Sequence, residues 1–152
     1  MVSTEIDKRP VLPVICGPTA VGKTALALQL AEAFDGEIIS ADSRQVFRLM
    51  DIGTAKPTLE EQQRTKHHLI DVAWPDEEFH AAHFLAHAEP LVKDILQRNK
   101  RPFLVGGTGL YIKAFTEGLL DAPSADQAFR EHLHGRAEKE GRSVLHAELA
   151  RV

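Results

Sequence analysis

Eight consecutive residues, Gly17-Pro18-Thr19-Ala20-Val21-Gly22-Lys23-Thr24, constrain this chain more than any others. They fit the pattern G-x-x-x-x-G-K-[ST], the phosphate-binding P-loop. Before them stands Val11-Leu12-Pro13-Val14-Ile15-Cys16, a short apolar run that reads as a buried strand over 11–16. After them comes a run of strong helix formers from Ala25 to Phe34. Strand, glycine loop and helix is the context that the motif requires. Gly17 and Gly22 let the backbone turn tightly and approach an anion. Backbone N–H groups and the positive end of the helix dipole then face the phosphate oxygens. Lys23 adds a mobile positive charge, and the Thr24 hydroxyl is placed to hold Mg²⁺. The loop specifies a polyphosphate. It does not say which one, nor whether a phosphoryl group moves.

The remaining chain is long enough, at 152 residues, to surround such a loop with one real core. A net charge of −4 argues against a protein coated in basic patches, although a local groove can be basic on an acidic protein. The one cysteine, Cys16, excludes an internal disulfide and reads as a buried, inert thiol in a reducing compartment. Residues 1–10 are charged, lack the apolar region of a secretory signal, and read as a flexible lead-in. No stretch approaches the roughly 18 apolar residues of a membrane span. The expectation is a cytoplasmic protein with no membrane partner, acting as a monomer.

Strands and helices alternate from there. Asp35-Gly36 is expected to close the first helix with a C-cap glycine. Residues 37–41 read as a second strand, which leaves Asp42 just past its carboxyl end. Ligands bind at that edge of open parallel sheets, so Asp42 should face the phosphate site. It could equally cap a short helix over 43–50, and both roles are compatible. Thr58 to Glu61 resembles a capping box, and 67–72 reads as a third strand in which Asp71 is expected to be an ordinary strand residue in preference to a metal-binding strand-end carboxylate. Phe79 to Arg98 is a long helix with Ala81, Phe84, Leu85, Ala88, Leu91, Val92, Ile95 and Leu96 on one face. Pro90 predicts a kink or two abutting helices. His80, His83 and His87 share a side of this helix; a solvated flank is expected there in preference to a zinc site.

Arg101 to Val105 is a further strand, followed by Gly106-Gly107-Thr108-Gly109. These glycines suit close approach of backbone to a ligand, or a tight strand-to-helix turn with none. A helix from Ile112 closes near Gly118. Beyond it, helices starting at Ser124 and Ser143 are rich in charge, and the second is still running at Val152. The expected architecture is α/β: a P-loop NTPase-like parallel sheet flanked by helices over 11–118, with the start of an all-helical insertion over 119–152.

Four stretches now stand in order: 17–24, Ile-Ile-Ser-Ala-Asp-Ser-Arg-Gln-Val at 38–46, Met-Asp-Ile-Gly-Thr-Ala-Lys-Pro at 50–57, and Val-Gly-Gly-Thr-Gly-Leu-Tyr at 105–111. His-His-Leu-Ile-Asp-Val at 67–72 and Pro-Ser-Ala-Asp at 123–126 accompany them. Over about residues 11–150 the chain resembles the tRNA dimethylallyltransferases, or isopentenylpyrophosphate–tRNA transferases. The resemblance implies transfer of a dimethylallyl group from dimethylallyl diphosphate to N6 of the adenosine beside the anticodon, in tRNAs reading codons that begin with U. The P-loop would then hold a departing diphosphate, and Asp42 would accept the amine proton. It also implies contacts to the tRNA anticodon loop from Asp42, Ser43, Arg44, Gln45, Thr108 and Arg130, and Mg²⁺ as cofactor. Family members are about twice this long, so this chain is expected to encode most of the diphosphate pocket and to be doubtful as an enzyme alone. The rival readings are a P-loop kinase for a nucleotide or small molecule, an adenylate isopentenyltransferase, and a fragment that binds diphosphate without turnover.

Overall fold

A parallel sheet of four short strands carries the N-terminal unit of this computed structural model, which describes residues 11–119 and 126–151. The strands are β1 (Val14–Cys16), β2 (Gly36–Ser40), β3 (His67–His68) and β4 (Arg101–Gly106). Their order is β1-β4-β2-β3. The helices are α1 (Lys23–Ala33), α2 (Leu59–Arg64), α3 (Ala81–Gln97) and α4 (Gly109–Glu117), then α5 (Gln127–Glu140) and α6 (Arg142–Leu149). The chain divides into two compact units, residues 1–119 and 120–152.

The pleat explains why β2 is buried throughout. Successive side chains point to opposite faces, and here both faces are covered. Ile38 joins Ala27, Leu28 and Ala31 of α1 with Phe103 and Val105 of β4. Ile39, on the other face, joins Phe84, Ala88 and Ile95 of α3 and Tyr111 and Ala114 of α4. Gly106 is dictated by this sheet: a Cβ there would stand 2.1 Å from the Ala41 carbonyl oxygen.

Several boundaries differ from the sequence expectation. The first strand spans 14–16 instead of 11–16, and it is an edge strand whose one neighbour in the sheet is β4, so Val14 and Cys16 are exposed and not buried. The first helix ends with Asp35 in the left-handed conformation at φ 47°, while Gly36 starts β2, where a Cβ would collide with the Phe103 ring. No helix forms over 43–50. Backbone donors there and in 71–73 pair across the two segments instead, with Arg48 N–H on the Ala73 carbonyl at 2.9 Å and Val72 N–H on the Val46 carbonyl at 2.9 Å. The third strand is cut to two residues because Leu69 and Asp71 take φ of 59° and 55°. α3 runs unbroken through Pro90, which faces solvent together with Ala86, so the carbonyl that Pro90 leaves free lies on the wet side. α4 starts at Gly109, three residues before Ile112, and α6 ends at Leu149 instead of running on to Val152. The lead-in over 1–10 and the helix start at Ser124 lie outside the described residues; α5 itself is capped by Asp126, whose Oδ1 accepts from Phe129 N–H at 2.9 Å.

The capping box is present, with Thr58 and Glu61 bonded reciprocally at the head of α2. His80 and His83 stack on each other at 3.9 Å between ring centroids, and no cluster of three metal-ligating side chains occurs among the described residues. In the C-terminal unit no side chain of α5 or α6 is buried. Arg136 reaches both Glu140 and Glu148, at 3.0 and 2.7 Å, and ties the two helices by exposed ion pairs of small individual worth.

One charged group is fully enclosed by the sheet. Glu37 of β2 is buried between Arg98, which donates two hydrogen bonds to it, and His68 Nε2 at 2.7 Å. The Arg98 guanidinium, opposed by burial and aided by His68, holds the Glu37 carboxyl at about 2. Because that value lies below the ordinary 4.5, the pair stabilises the fold above pH 4.5, and the contribution fades as pH falls toward 2. Glu37→Gln should therefore cost roughly 3 kcal/mol at pH 7. Urea titrations should show the variant and the parent converging between pH 5 and pH 2.5; a gap independent of pH would contradict this assignment.

Candidate functional site

The carboxyl ends of β4 and β2 and the P-loop enclose one cleft of about 440 Å³. On one side it is lined by Thr19, Ala20, Gly22, Lys23 and Thr24. Gly22, at φ 90°, is the left-handed residue that turns the loop into α1. No side chain caps that helix and its first turn carries no acidic residue, so the N–H groups face the cleft without a competing anion. Lys23 Nζ donates to the Gly17 carbonyl at 2.9 Å and the Pro18 carbonyl at 2.7 Å, which draws the loop around its ammonium. Gly107 sits opposite: a Cβ there would meet Gly17 O at 3.5 Å and Lys23 Nζ at 4.0 Å. Of the two readings of the glycine run, Gly106 serves strand packing and Gly107 serves the cleft.

Asp42 lines the same cleft, just past β2 as its position in sequence requires. Its Oδ1 accepts from Arg44 N–H at 2.8 Å and Gln45 N–H at 3.3 Å. The carboxylate thus caps a turn with one oxygen, and among the described residues Oδ2 has no hydrogen-bond partner. Arg44 and Gln45 also line the cleft. Ser43 and Thr108 do not; Thr108 Oγ1 accepts from Ser43 N–H at 2.8 Å and its own N–H bonds the Ala41 carbonyl at 3.1 Å. These two residues fasten the strand end that presents Asp42. Gly17 and Pro18 meet the loop carbonyl cage instead of the cleft wall, and Val21 is an exposed residue of the loop. Arg130 is an exposed residue of α5 in the C-terminal unit.

The opposite wall came unannounced by any single residue type. It consists of Gly53, Thr54, Ala55 and Pro57, and the buried core residues Ala27, Ile38 and Val105 lie beneath the cleft. His67 also lines the cleft. Its Nδ1 lies 2.7 Å from the Thr65 carbonyl, which fixes the proton on that nitrogen, and burial lowers its pKa. The sequence signal for this wall was the 50–57 stretch, one of the four that carry the resemblance, whose Gly53 and Pro57 mark a turn but assign no chemistry to a residue.

Comparisons with known proteins converge on one group. A family model described as IPP transferase matches residues 45–152. The chain is 53% identical over 142 residues to a tRNA dimethylallyltransferase of Syntrophus aciditrophicus, covering 93% of this chain and 46% of the relative. It is 54% identical over 142 residues to one from Desulfosudis oleivorans, again covering 93% of this chain and 45% of the relative. Among solved structures it is similar to the full-length tRNA isopentenylpyrophosphate transferase of Bacillus halodurans, with a TM-score of 0.71, 46% identity, and coverage of 92% of this chain and 46% of that one. A eukaryotic dimethylallyltransferase acting on tRNA aligns with a TM-score of 0.70 at 33% identity, over 77% of this chain and 30% of that one. This chain spans about half the length of the curated relatives it matches.

Proposed function

This chain belongs to the IPP transferase family, and on that footing we propose that its cleft binds dimethylallyl diphosphate and passes the dimethylallyl group to an adenosine amine of tRNA. One observation carries the reading: Lys23, Thr24 and the half-free carboxylate of Asp42 lie on a single cleft lining. The matches to tRNA prenyltransferases do not favour the kinase alternative.

The chemistry follows from the lining. Lys23 and the first-turn N–H groups of α1 hold the diphosphate and stabilise the charge that develops on it as the C1–O bond breaks. As the amine nitrogen bonds to C1 it becomes acidic, and Asp42 Oδ2 takes its proton. The target adenine must leave its stack to enter such a cleft. The Thr24 hydroxyl, with oxygens of the diphosphate, would offer the all-oxygen donors that Mg²⁺ takes, and the ion would supply positive charge to the leaving group. Ser43, Arg44, Gln45, Thr108 and Arg130 are proposed to contact the anticodon-loop side of tRNA, and the acceptor to be the adenosine beside the anticodon in tRNAs reading codons that begin with U. A monomer acting in the cytoplasm completes the proposal; no helix among the described residues is long and apolar enough to cross a membrane.

Labelled dimethylallyl diphosphate, Mg²⁺ and unmodified tRNA test this with the 152-residue chain. Label is expected to bind the chain and to be displaced by inorganic pyrophosphate; any label transferred is expected on tRNA and not on AMP. Tighter binding of ATP with release of its terminal phosphate to an acceptor would overturn the reading. Donor binding with no transfer at all would reduce this chain to a donor-binding fragment.

A further inference from the structure

Behind the 53–57 wall lies a charge cluster, a buried lysine between two solvent-facing aspartates, that the chemistry above leaves unused. The Lys56 side chain is 5% exposed. Its Nζ donates to Asp51 Oδ1 and Asp71 Oδ1, each at 2.6 Å, and to the Phe47 carbonyl at 3.0 Å. All three ammonium donors are therefore engaged. Burial opposes the charge, but the hydrogen bonds that Lys56 donates to Asp51 and Asp71, with their negative charges, outweigh it and raise the Lys56 pKa. The cluster ties the 51–57 loop to the 47 turn and to the segment that follows β3.

The two residues before Lys56 are held from the cleft side. Gln45 Nε2 donates to the Thr54 carbonyl at 3.2 Å and to the Ala55 carbonyl at 3.0 Å, and Ser40 Oγ donates to Gln45 Oε1 at 3.0 Å. Backbone carbonyls only accept, so the amide has one allowed orientation. Its two N–H groups are committed to the wall. What remains for a ligand is a lone pair on Oε1, on a residue that lines the cleft.

We propose that Lys56 is a positioning residue for acceptor selection. By anchoring the 51–57 loop it holds the 54 and 55 carbonyls in place, keeps Gln45 an acceptor-only group, and makes the cleft prefer a molecule that offers an N–H donor there. The identity of that molecule as an adenine amine rests on the proposed function; the positioning itself does not.

Two readouts separate these parts. The first is exchange of the Gln45 side-chain amide protons by nuclear magnetic resonance. Lys56→Met is expected to speed it at least about tenfold while the backbone amides of β2 and β4 keep their protection, and Lys56→Arg should restore most of the slow exchange. Asp71→Asn, which removes one negative charge while leaving an amide oxygen to accept from Lys56, should give an intermediate result and serves if Lys56→Met does not fold. The second is binding of an anticodon-loop RNA carrying adenosine or inosine at the target, since inosine replaces the amine with a carbonyl. The parent chain should prefer adenosine by about tenfold or more, and Lys56→Met should shrink this below about threefold with pyrophosphate affinity within about twofold of the parent. Gln45 protons equally slow in Lys56→Met and parent would overturn the positioning role, as would an unchanged adenosine preference. Fast exchange in the variant, with a parent chain blind to inosine, would instead sink the adenine reading and leave the positioning intact.

Discussion

Lys23→Ala should weaken binding of inorganic pyrophosphate in the presence of Mg²⁺ by about a hundredfold, roughly 3 kcal/mol. Two losses combine in that figure. The ammonium is the one side-chain cation among the P-loop residues lining the cleft, and charge-assisted contacts to phosphate are the strong ones. It also draws in the Gly17 and Pro18 carbonyls, which would otherwise turn negative dipoles toward the anion's surroundings with no counter-charge. Titration calorimetry on the parent and variant chains checks this. Affinity unchanged by Lys23→Ala would mean that the ammonium only closes the loop and that the anion sits elsewhere.

Asp42→Asn should leave donor binding intact and lower transfer to tRNA by about 10²–10⁴-fold. The substitution is chosen for what it preserves. An asparagine Oδ1 still accepts from the N–H groups of Arg44 and Gln45, so the turn that presents the side chain is kept. What disappears is the second carboxylate oxygen, the one left free to take a proton. Single-turnover transfer with donor saturating isolates that step. If donor affinity falls in parallel with rate, Asp42 is holding the cleft's shape, and the proton acceptor must be sought elsewhere on the lining.

Lys23 and Asp42 were both legible in the sequence, for different reasons. The P-loop is a local object: its residue types answer to the turn, the helix terminus and the anion within eight consecutive positions. Asp42 was found from a general rule about the carboxyl edge of parallel sheets, which needed only the end of one strand to be placed correctly. Cys16 shows where such reasoning fails. Its apolar run says strand, but burial depends on which neighbours flank that strand, and β1 lies at the edge. The turn over 43–50 failed similarly. Its helical propensity was overridden by backbone pairing to residues 71–73, some twenty-five positions away in the chain. Thr108 was named for its motif, yet its hydroxyl is used by Ser43 N–H, sixty-five residues off.

What the amino-acid order determined alone is therefore the alternation of strands and helices, the glycine loop that opens α1, and the carboxylate at the strand end. Each depends on interactions within a few residues, or on a rule that holds for every sheet of this kind. Only the tertiary structure decided the strand order, the exposed edge of β1, and the wall built from 53–57. It alone paired Lys56 with both Asp51 and Asp71 and set Gln45 against the carbonyls of that wall. Hydrogen bonds of this sort have no periodicity and no spacing rule. They join groups whose separation along the chain is arbitrary, so the physics that selects them acts only once the sheet has brought them together.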